Sequence, residues 1–395
     1  MQLENLKIAI IGGGPGGLTL AKLLQQNNLQ VKVYERDSGR HSRVQGAPLD
    51  LHEHSGLAAL QEAGLFEEFK KNYMIAADQT TISDDQGKIV FRENEQGQEQ
   101  KFGDEHFRPE IDRGTLRGIL IDSLTLETIN WNSHFLGMEK LGKGWLLHFK
   151  DAASKFADIV IGSDGANSKI RPYITDVKPF YTGITMLEGN IKNARKSAPK
   201  VSEILKGGKI MAFGNQKNIL IGQKSGDEIG FYASFKADED WPVKADVDFS
   251  CRTSMLHWFR TAYWEWDEIW EELFETTSLP VIPRPITCMP LDQQWGSMPN
   301  VIIIGDAAHV MPPFAGEGAN MAMLDALELS KAMLSNQHED LQQSISFFEK
   351  QMRERASLKA KESLENGVKM HSENALMRMT EFFSGKEETI ADPAS

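Results

Sequence analysis

The run Lys7-Ile-Ala-Ile-Ile-Gly12-Gly-Gly-Pro-Gly-Gly17, continued through Leu18-Thr-Leu-Ala-Lys-Leu-Leu-Gln-Gln26 to Val31-Lys-Val-Tyr-Glu35, decides the fold class. Residues 7–11 form a short β-branched apolar run, the pattern of a strand covered on both faces. The run breaks into glycines, after which Leu18, Ala21, Leu23 and Leu24 recur at helical spacing up to the polar stop at 25–28. A second strand, 31–34, ends in Glu35. Parallel strands joined by a helix require a sheet with helices on its faces, so the expected class is α/β. In Gly12-x-Gly14-x-x-Gly17 the missing side chains let the backbone approach a pyrophosphate. Its charge meets the N–H groups and positive end of the helix that Pro15 and Gly16 open. Glu35, eighteen residues beyond Gly17, then accepts hydrogen bonds from the hydroxyls of a ribose. A glycine turn beside a solvent-exposed glutamate is the plainer reading, and the three agreeing cues disfavour it.

Length and composition narrow the setting. At 395 residues the chain calls for two or three units, at roughly 150 residues per domain. Its 41% hydrophobic and 25% charged content is ordinary globular usage and excludes wholesale disorder. The net charge of −13 repels phosphate backbones and anionic lipid, so neither nucleic acid nor a membrane surface is an expected partner. Cys251 and Cys288 are the two cysteines and form no CxxC. A disulfide framework and a cysteine zinc site are therefore not expected, no metal cluster is expected, and the cytoplasm is the expected compartment. The acidic N-terminus is no secretory signal, and no stretch approaches the ~20 apolar residues of a membrane span.

Further along, 81–82 and 88–91 flank an Asp84-Asp85-Gln86-Gly87 turn and predict a hairpin. The Glu/Gln-rich segment 92–101 reads as an exposed loop. Asp112 is a candidate N-cap for a helix to Leu124. Another buried strand, 157–161, leads into Gly162-Ser163-Asp164-Gly165. Residues 178–236 read as strand and turn throughout, an antiparallel sheet inserted into the α/β chain. The aromatic stretch 247–275 reads as helix, its tryptophans packed in a core and its acids solvated. Strand 301–304 precedes a glycine-rich turn and a helix over 318–335, and one long closing helix is expected over 340–383.

Two later segments distinguish the dinucleotides. Asp164-Gly165-Ala-Asn-Ser-Lys-Ile-Arg171 follows one strand, and Gly305-Asp306-Ala-Ala-His309 follows another, running on into Met311-Pro-Pro313-Phe314-Ala-Gly316-Glu317-Gly318-Ala319-Asn320. With the N-terminal glycine motif, these in this order resemble the class A flavoprotein aromatic hydroxylases, of para-hydroxybenzoate hydroxylase fold, over nearly the whole chain. Within that group the stretches 9–15, 18–26, Val33-Tyr-Glu-Arg36-Asp37, 108–111 and 305–315 are most similar to the tetracycline-inactivating TetX-type monooxygenases. The resemblance implies a Rossmann-like FAD-binding domain, an inserted antiparallel substrate domain and a long C-terminal bridging helix. Its parts would be 1–73, 108–175 and 286–338 for FAD, 74–107 and 176–285 for substrate, the helix over 339–383, and a flexible tail over 384–395.

Carried onto matching positions, the resemblance implies that Asp50 and Asp306 hydrogen-bond FAD and that Arg113 and Arg117, one helical turn apart, contact its phosphates or ribityl chain. Arg43 would lie where NADPH approaches, and Asp164-Gly165 would help hold both cofactors. Reduced flavin tends to lose the proton at N1, and the turn 313–316 offers backbone N–H groups and a helix end to that charge. Gly316 and Gly318 permit close contact with the ring. The implied chemistry is reduction of FAD by NADPH and transfer of one oxygen of O₂, through a C4a-hydroperoxyflavin, to an aromatic or enolic ring. No separate catalytic side chain is required, His309 has no assigned role, and a monomer is expected.

The resemblance thins in the substrate sheet. A glutamine, an arginine and a histidine of the tetracycline enzymes fall at Glu188, Lys209 and Gly230, and Glu317 stands where they carry glutamine. Tetracycline and a related phenol or polyketide are thus competing substrates. Glu188, Lys209, Phe213, Phe231 and Phe314 are the candidate substrate contacts. A flavoprotein dehydrogenase or halogenase of the same scaffold, or a nucleotide fold without enzymatic activity, are the alternative functions.

Overall fold

The structure, a computed structural model, describes residues 3–42, 46–93, 101–104, 107–335 and 337–385. Arg43, most of the 92–101 loop and most of the tail lie outside these. Two compact units divide the chain. The nucleotide unit comprises 1–73, 103–180 and 287–364, and the sheet unit comprises 74–102, 181–286 and 365–395. Among the described residues no helix is long and apolar enough to cross a membrane.

The nucleotide unit is built on five parallel strands in the order Val301–Ile303, Ile159–Gly162, Ile8–Ile11, Val31–Tyr34, Ile129–Asn130. Ile8–Ile11 lies at the centre, and all four of its residues are buried. The helix Pro15–Gln26 follows it with Leu18, Leu20, Leu23 and Leu24 buried, each worth roughly 2 kcal/mol when removed from water. Because the strands run the same way, the residues that follow them emerge at one edge of the sheet: Gly12, Glu35, Ser163 and Ile304. An α/β fold with a Rossmann-like sheet is therefore present. A three-stranded antiparallel sheet over Phe135–Leu141, Gly144–Phe149 and Ala152–Ala157 was not expected. Its outer strands are largely exposed and carry charged residues, so no apolar run advertises them.

In the sheet unit seven strands run in the order Ile282–Cys288, Phe180–Ile191, Glu228–Lys236, Lys217–Lys224, Lys209–Gly214, Thr80–Asp84, Ile89–Arg92. The sheet is mostly antiparallel, as expected, but Lys209–Gly214 and Thr80–Asp84 pair in parallel. One face carries Leu187, Ile210, Ala212, Ile219, Ile221, Ile229, Phe231 and Ala233, packed against Met255, Trp258, Phe259, Trp270 and Phe274. The aromatic segment is core except for Trp264, which is expected there but is 72% exposed. It is not one helix, however: Arg252–Ala262 stops, and Asp267 caps a new start by accepting from the Ile269 amide at 2.9 Å. Residues 194–205, expected as strand and turn, contain helices Ala194–Ser197 and Pro199–Leu205. Pro199 is preset for a first helical position, and Val201 and Leu205 are buried in the same core at i,i+4.

The closing helix is also broken. Leu341–Met370 and Ala375–Phe383 are separate helices, and the 341–370 helix passes from one unit to the other at 364/365. Between them His371 is fully buried. Its Nε2 lies 2.8 Å from Ser234 Oγ and 3.2 Å from Asn218 Nδ2, and its Nδ1 lies 2.7 Å from Gly367 O. Ser372 and Asn374 favour turn conformations over helix interior and complete the break. Burial, aided by Lys236, lowers the His371 pKa to about 4. An unfolded histidine titrates near ~6.5, so the unfolded chain takes up this proton first as pH falls. Stability is therefore expected to decline from about pH 6.5 through pH 4 by about 3 kcal/mol. Acid melts of the wild type and His371→Gln check this; equal slopes would remove His371 as the cause.

Candidate functional site

The glycine turn is shaped by contacts that tolerate no side chain. Gly12 has φ +107°, and a Cβ there would stand 2.3 Å from Ser163 O; one on Gly17 would stand 2.2 Å from Gly12 O. Gly14 differs. A Cβ on it would meet nothing within 4 Å, and as N-cap of the helix Pro15–Gln26 it offers no side-chain hydrogen bond. The N-cap thus supplies no side-chain acceptor to the first-turn N–H groups of that helix and leaves room beside it, which suits a pyrophosphate. Gly16 and Gly305 both pack on Ala322, where a Cβ on either would approach to 2.8 Å. Residues of the helix Gly318–Leu334 therefore link the glycine turn to the Asp306 turn.

Glu35 is buried at the end of its strand. Its Oε2 accepts from the Gly13 amide at 2.7 Å and its Oε1 from the Asp37 amide at 3.0 Å. Arg117 Nε donates to Gly13 O at 3.1 Å, and its Nη2 lies 3.0 Å from Asp37 and 3.6 Å from Glu35. Arg117, expected at the phosphates or ribityl chain, is thus committed to the Glu35 end of the turn. Arg113 reaches Ala47 O at 3.3 Å, and its helix is capped by Asp112 as expected. Arg36 is exposed.

Asp164 holds its own loop, with Oδ1 2.5 Å from Ser168 Oγ and Oδ2 accepting from the Lys169 amide at 2.7 Å. Gly165 has φ +82° and open space at its Cβ position. Arg171 joins this loop to the next motif. It donates to Ala166 O, Asp306 O and Ala307 O at 2.7–2.9 Å, a clamp that sequence reasoning missed although Arg171 lies in the motif. Asp306 begins the short helix Asp306–His309, and burial raises its carboxyl pKa against the pull of His309, Arg113 and Arg171. Beneath it, Asp325 receives His309 Nε2 at 2.5 Å, the Gly305 amide at 2.9 Å and Arg355 at 2.9 Å. Burial opposes these charges, but the pairing wins: the Asp325 pKa is lowered and that of His309 raised. The sequence signal for Asp325 was an acid flanked by Met321, Met323, Leu327 and Leu329 on a largely apolar helix.

Asp50 sits in the two-residue strand Leu49–Asp50. A Cβ on Gly316, which has φ +69°, would lie 2.9 Å from its Oδ2, so the carboxylate and the 313–316 turn adjoin. Asn320, fully buried, donates to Asp50 O at 2.8 Å and Gly316 O at 3.2 Å and accepts from the His52 amide at 2.9 Å. Its side chain is spent on the protein, so the cofactor contact expected of it would have to come from its backbone. Gly318 lies beside Asp306, 3.8 Å from a notional Cβ to Oδ1; Ala319 is half-buried and Pro313 exposed.

The five substrate candidates separate. Register places Met211, Leu220, Tyr232 and Glu188 in one row across the sheet, with Lys209, Gly222, Gly230 and Asn190 in the next. These rows lie on the face opposite the aromatic core. Glu188 Oε2 accepts from Arg284 Nε at 2.8 Å, and both Glu188 and Lys209 are half-buried. Phe213 is on this face but buried, in the row of Asn218 and Ser234 that His371 bonds. Phe231 is corrected to the core: it points to the other face and meets Phe274 edge-on at 5.3 Å. Phe314 is half-buried in the nucleotide unit's 313–315 turn.

Residues 150–345 match the family model described as "FAD binding domain", and 6–107 match one described as "Pyridine nucleotide-disulphide oxidoreductase". Among relatives, monooxygenase penA of Penicillium thymicola is 28% identical over 382 residues, covering 84% of this chain and 85% of penA. The solved structure of Klebsiella pneumoniae HpxO with FAD and uric acid superposes with a TM-score of 0.74 at 18% identity, over 97% of this chain and 93% of HpxO. Tetracycline destructase Tet(55) superposes with a TM-score of 0.74 at 15% identity, over 99% and 100%. The chain thus carries an FAD binding domain and is similar, over most of its length, to FAD-dependent monooxygenases. It is a flavin-dependent monooxygenase. The disulphide-oxidoreductase match takes in the glycine turn, and both cysteines of this flavoenzyme, Cys251 and Cys288, lie outside it.

The residues present fit FAD. The open Gly14 position beside uncapped helix donors suits the pyrophosphate, buried Glu35 suits the ribose, and the Asp50–Gly316 junction and Asp306 offer acceptors and close backbone for the remainder.

Proposed function

We propose that the flavoenzyme uses NADPH and O₂ to hydroxylate an aromatic or enolic polycyclic small molecule, tetracycline and related polyketides or phenols being the candidates. NADPH and O₂ yield NADP⁺, one oxygen atom in the product and one in water, and FAD supplies this chemistry when bound. The chain's own residues bind and orient. The nucleotide unit holds the flavin through the glycine turn, Glu35, Asp50 and Asp306, and the 313–316 turn presents backbone donors to charge on the reduced ring. Arg43, outside the described residues, is the proposed NADPH contact. The observation that carries the substrate class is the half-buried stripe Met211–Leu220–Tyr232 between Glu188 and Lys209. A flat apolar ring system with polar groups at its rim matches such a surface. The uric acid bound by HpxO and the tetracycline destructase Tet(55) support a polar polycyclic substrate. We place the enzyme in the cytoplasm as a monomer, consistent with two unpaired cysteines and the acidic balance, and tetracycline turnover would make it a resistance enzyme.

The test is NADPH oxidation with and without tetracycline, repeated with NADH. Faster oxidation with the drug, NADPH preferred, and an oxygenated product are expected. Oxidation indifferent to every ring compound offered would sink the substrate reading.

A further inference from the structure

In the nucleotide unit two residues with no role in the glycine motifs, His52 and Lys359, join Asp50 and Glu317 into a chain of side chains beside the 313–316 turn. His52 Nε2 lies 3.1 Å from Asp50 Oδ2, and its Nδ1 lies 3.4 Å from Glu317 Oε2. Glu317 Oε1 lies 2.7 Å from Lys359 Nζ, which also reaches Glu362 at 3.2 Å. His52 and Glu317 side chains are only 15% and 6% exposed, so water screens these pairs weakly. The two carboxylates bridged by the imidazole belong to the two segments that adjoin at the Asp50–Gly316 contact. Asn320 ties the backbones of the same two segments, and His52 reaches the carboxylate of each.

We propose that His52 is a positioning residue for the flavin, bridging Asp50 and Glu317 so that the Asp50 carboxylate and the 313–316 turn stay in the arrangement that receives FAD. The inference rests on FAD binding in this unit and goes beyond it by naming what orders the site. Only a doubly protonated imidazole donates to both carboxylates at once. The groups facing it are Asp50 from its own strand, Glu317 from the segment before Gly318, and Arg108, whose charge opposes protonation. Lys359, from the helix Leu341–Met370, acts through Glu317. Burial opposes protonation most strongly, but the two neighbouring carboxylates prevail and the pKa rises to about 9. The bridge is therefore present at neutral pH and lost as pH rises through that value.

The experiment is FAD affinity of the full-length protein by flavin fluorescence from pH 7 to 10, with His52→Gln and His52→Ala, alongside melts without FAD. At pH 7 the dissociation constant is expected to rise about tenfold in the alanine variant and less in the glutamine variant, which keeps one donor. The wild-type constant should rise across pH 9, while that of His52→Gln stays flat. Variants that melt lower but bind FAD as the wild type does, with the same pH profile, would overturn the proposal. If His52→Ala does not fold, the pH profile of His52→Gln decides alone. Failure of the wild type to bind FAD at all would instead overturn the flavin site itself.

Discussion

Gly12→Ala is expected to leave a protein that holds no flavin and melts far below the wild type. The added Cβ would sit 2.3 Å from Ser163 O and 2.7 Å from its carbonyl carbon, both backbone atoms, and the residue would be held at φ +107°. Relief requires the ends of the two central strands to part. Backbone strain and overpacking together cost on the order of 3–5 kcal/mol, a large share of a typical ~5–15 kcal/mol domain stability. Gly14→Ala is the matched control, because its Cβ has open space and its φ of −82° is ordinary. It should melt like the wild type without FAD yet bind FAD more weakly, since the methyl occupies the approach of the pyrophosphate. Thermal melts and flavin-to-protein ratios read both variants. Unchanged affinity in Gly14→Ala would mean that the dinucleotide does not approach the turn there.

Asp325→Ala is the second large effect. It removes the acceptor for His309, Arg355 and the Gly305 amide together, leaving buried His309 and partly exposed Arg355 without the carboxylate they share. Removing one partner of a buried charge set costs roughly 3–5 kcal/mol. The Gly305–His309 turn loses its anchor, so flavin retention should fall with stability. Asp325→Asn keeps an acceptor for the Gly305 amide and should lose less. Denaturant melts of the two variants check the order, and equal losses would show that charge is not what Asp325 contributes.

How much could be read from residues alone follows from the range of each interaction. The strand–turn–helix–strand opening was legible because its cues are local: a β-branched run, glycines where the backbone must close on Ser163, and leucines at helical spacing. Phe231 was misplaced although its signal was present. Ile229, Phe231, Ala233 and Phe235 alternate with Tyr232 and Ser234, and strict period-two reading assigns Phe231 to the core face. The row that joins Glu188 to Tyr232 depends on register between strands far apart in sequence, which no local pattern encodes. The helix breaks at Tyr263–Asp267 and His371–Asn374 likewise arise from a cap and from a buried histidine bonding distant strands. The Asp50–His52–Glu317–Lys359 chain spans three segments of the sequence and left no motif to find.

The account rests on a flavin held in the nucleotide unit and used to split O₂ between product and water. The most direct measurement is turnover of the yellow, full-length protein with NADPH and tetracycline, or a related polycyclic phenol, under isotopically labelled oxygen gas, followed by mass spectrometry of the product. The account predicts one labelled oxygen atom in the product and none from labelled water. A colourless protein, or a flavoprotein that converts all consumed oxygen to hydrogen peroxide whatever ring compound is supplied, would contradict it.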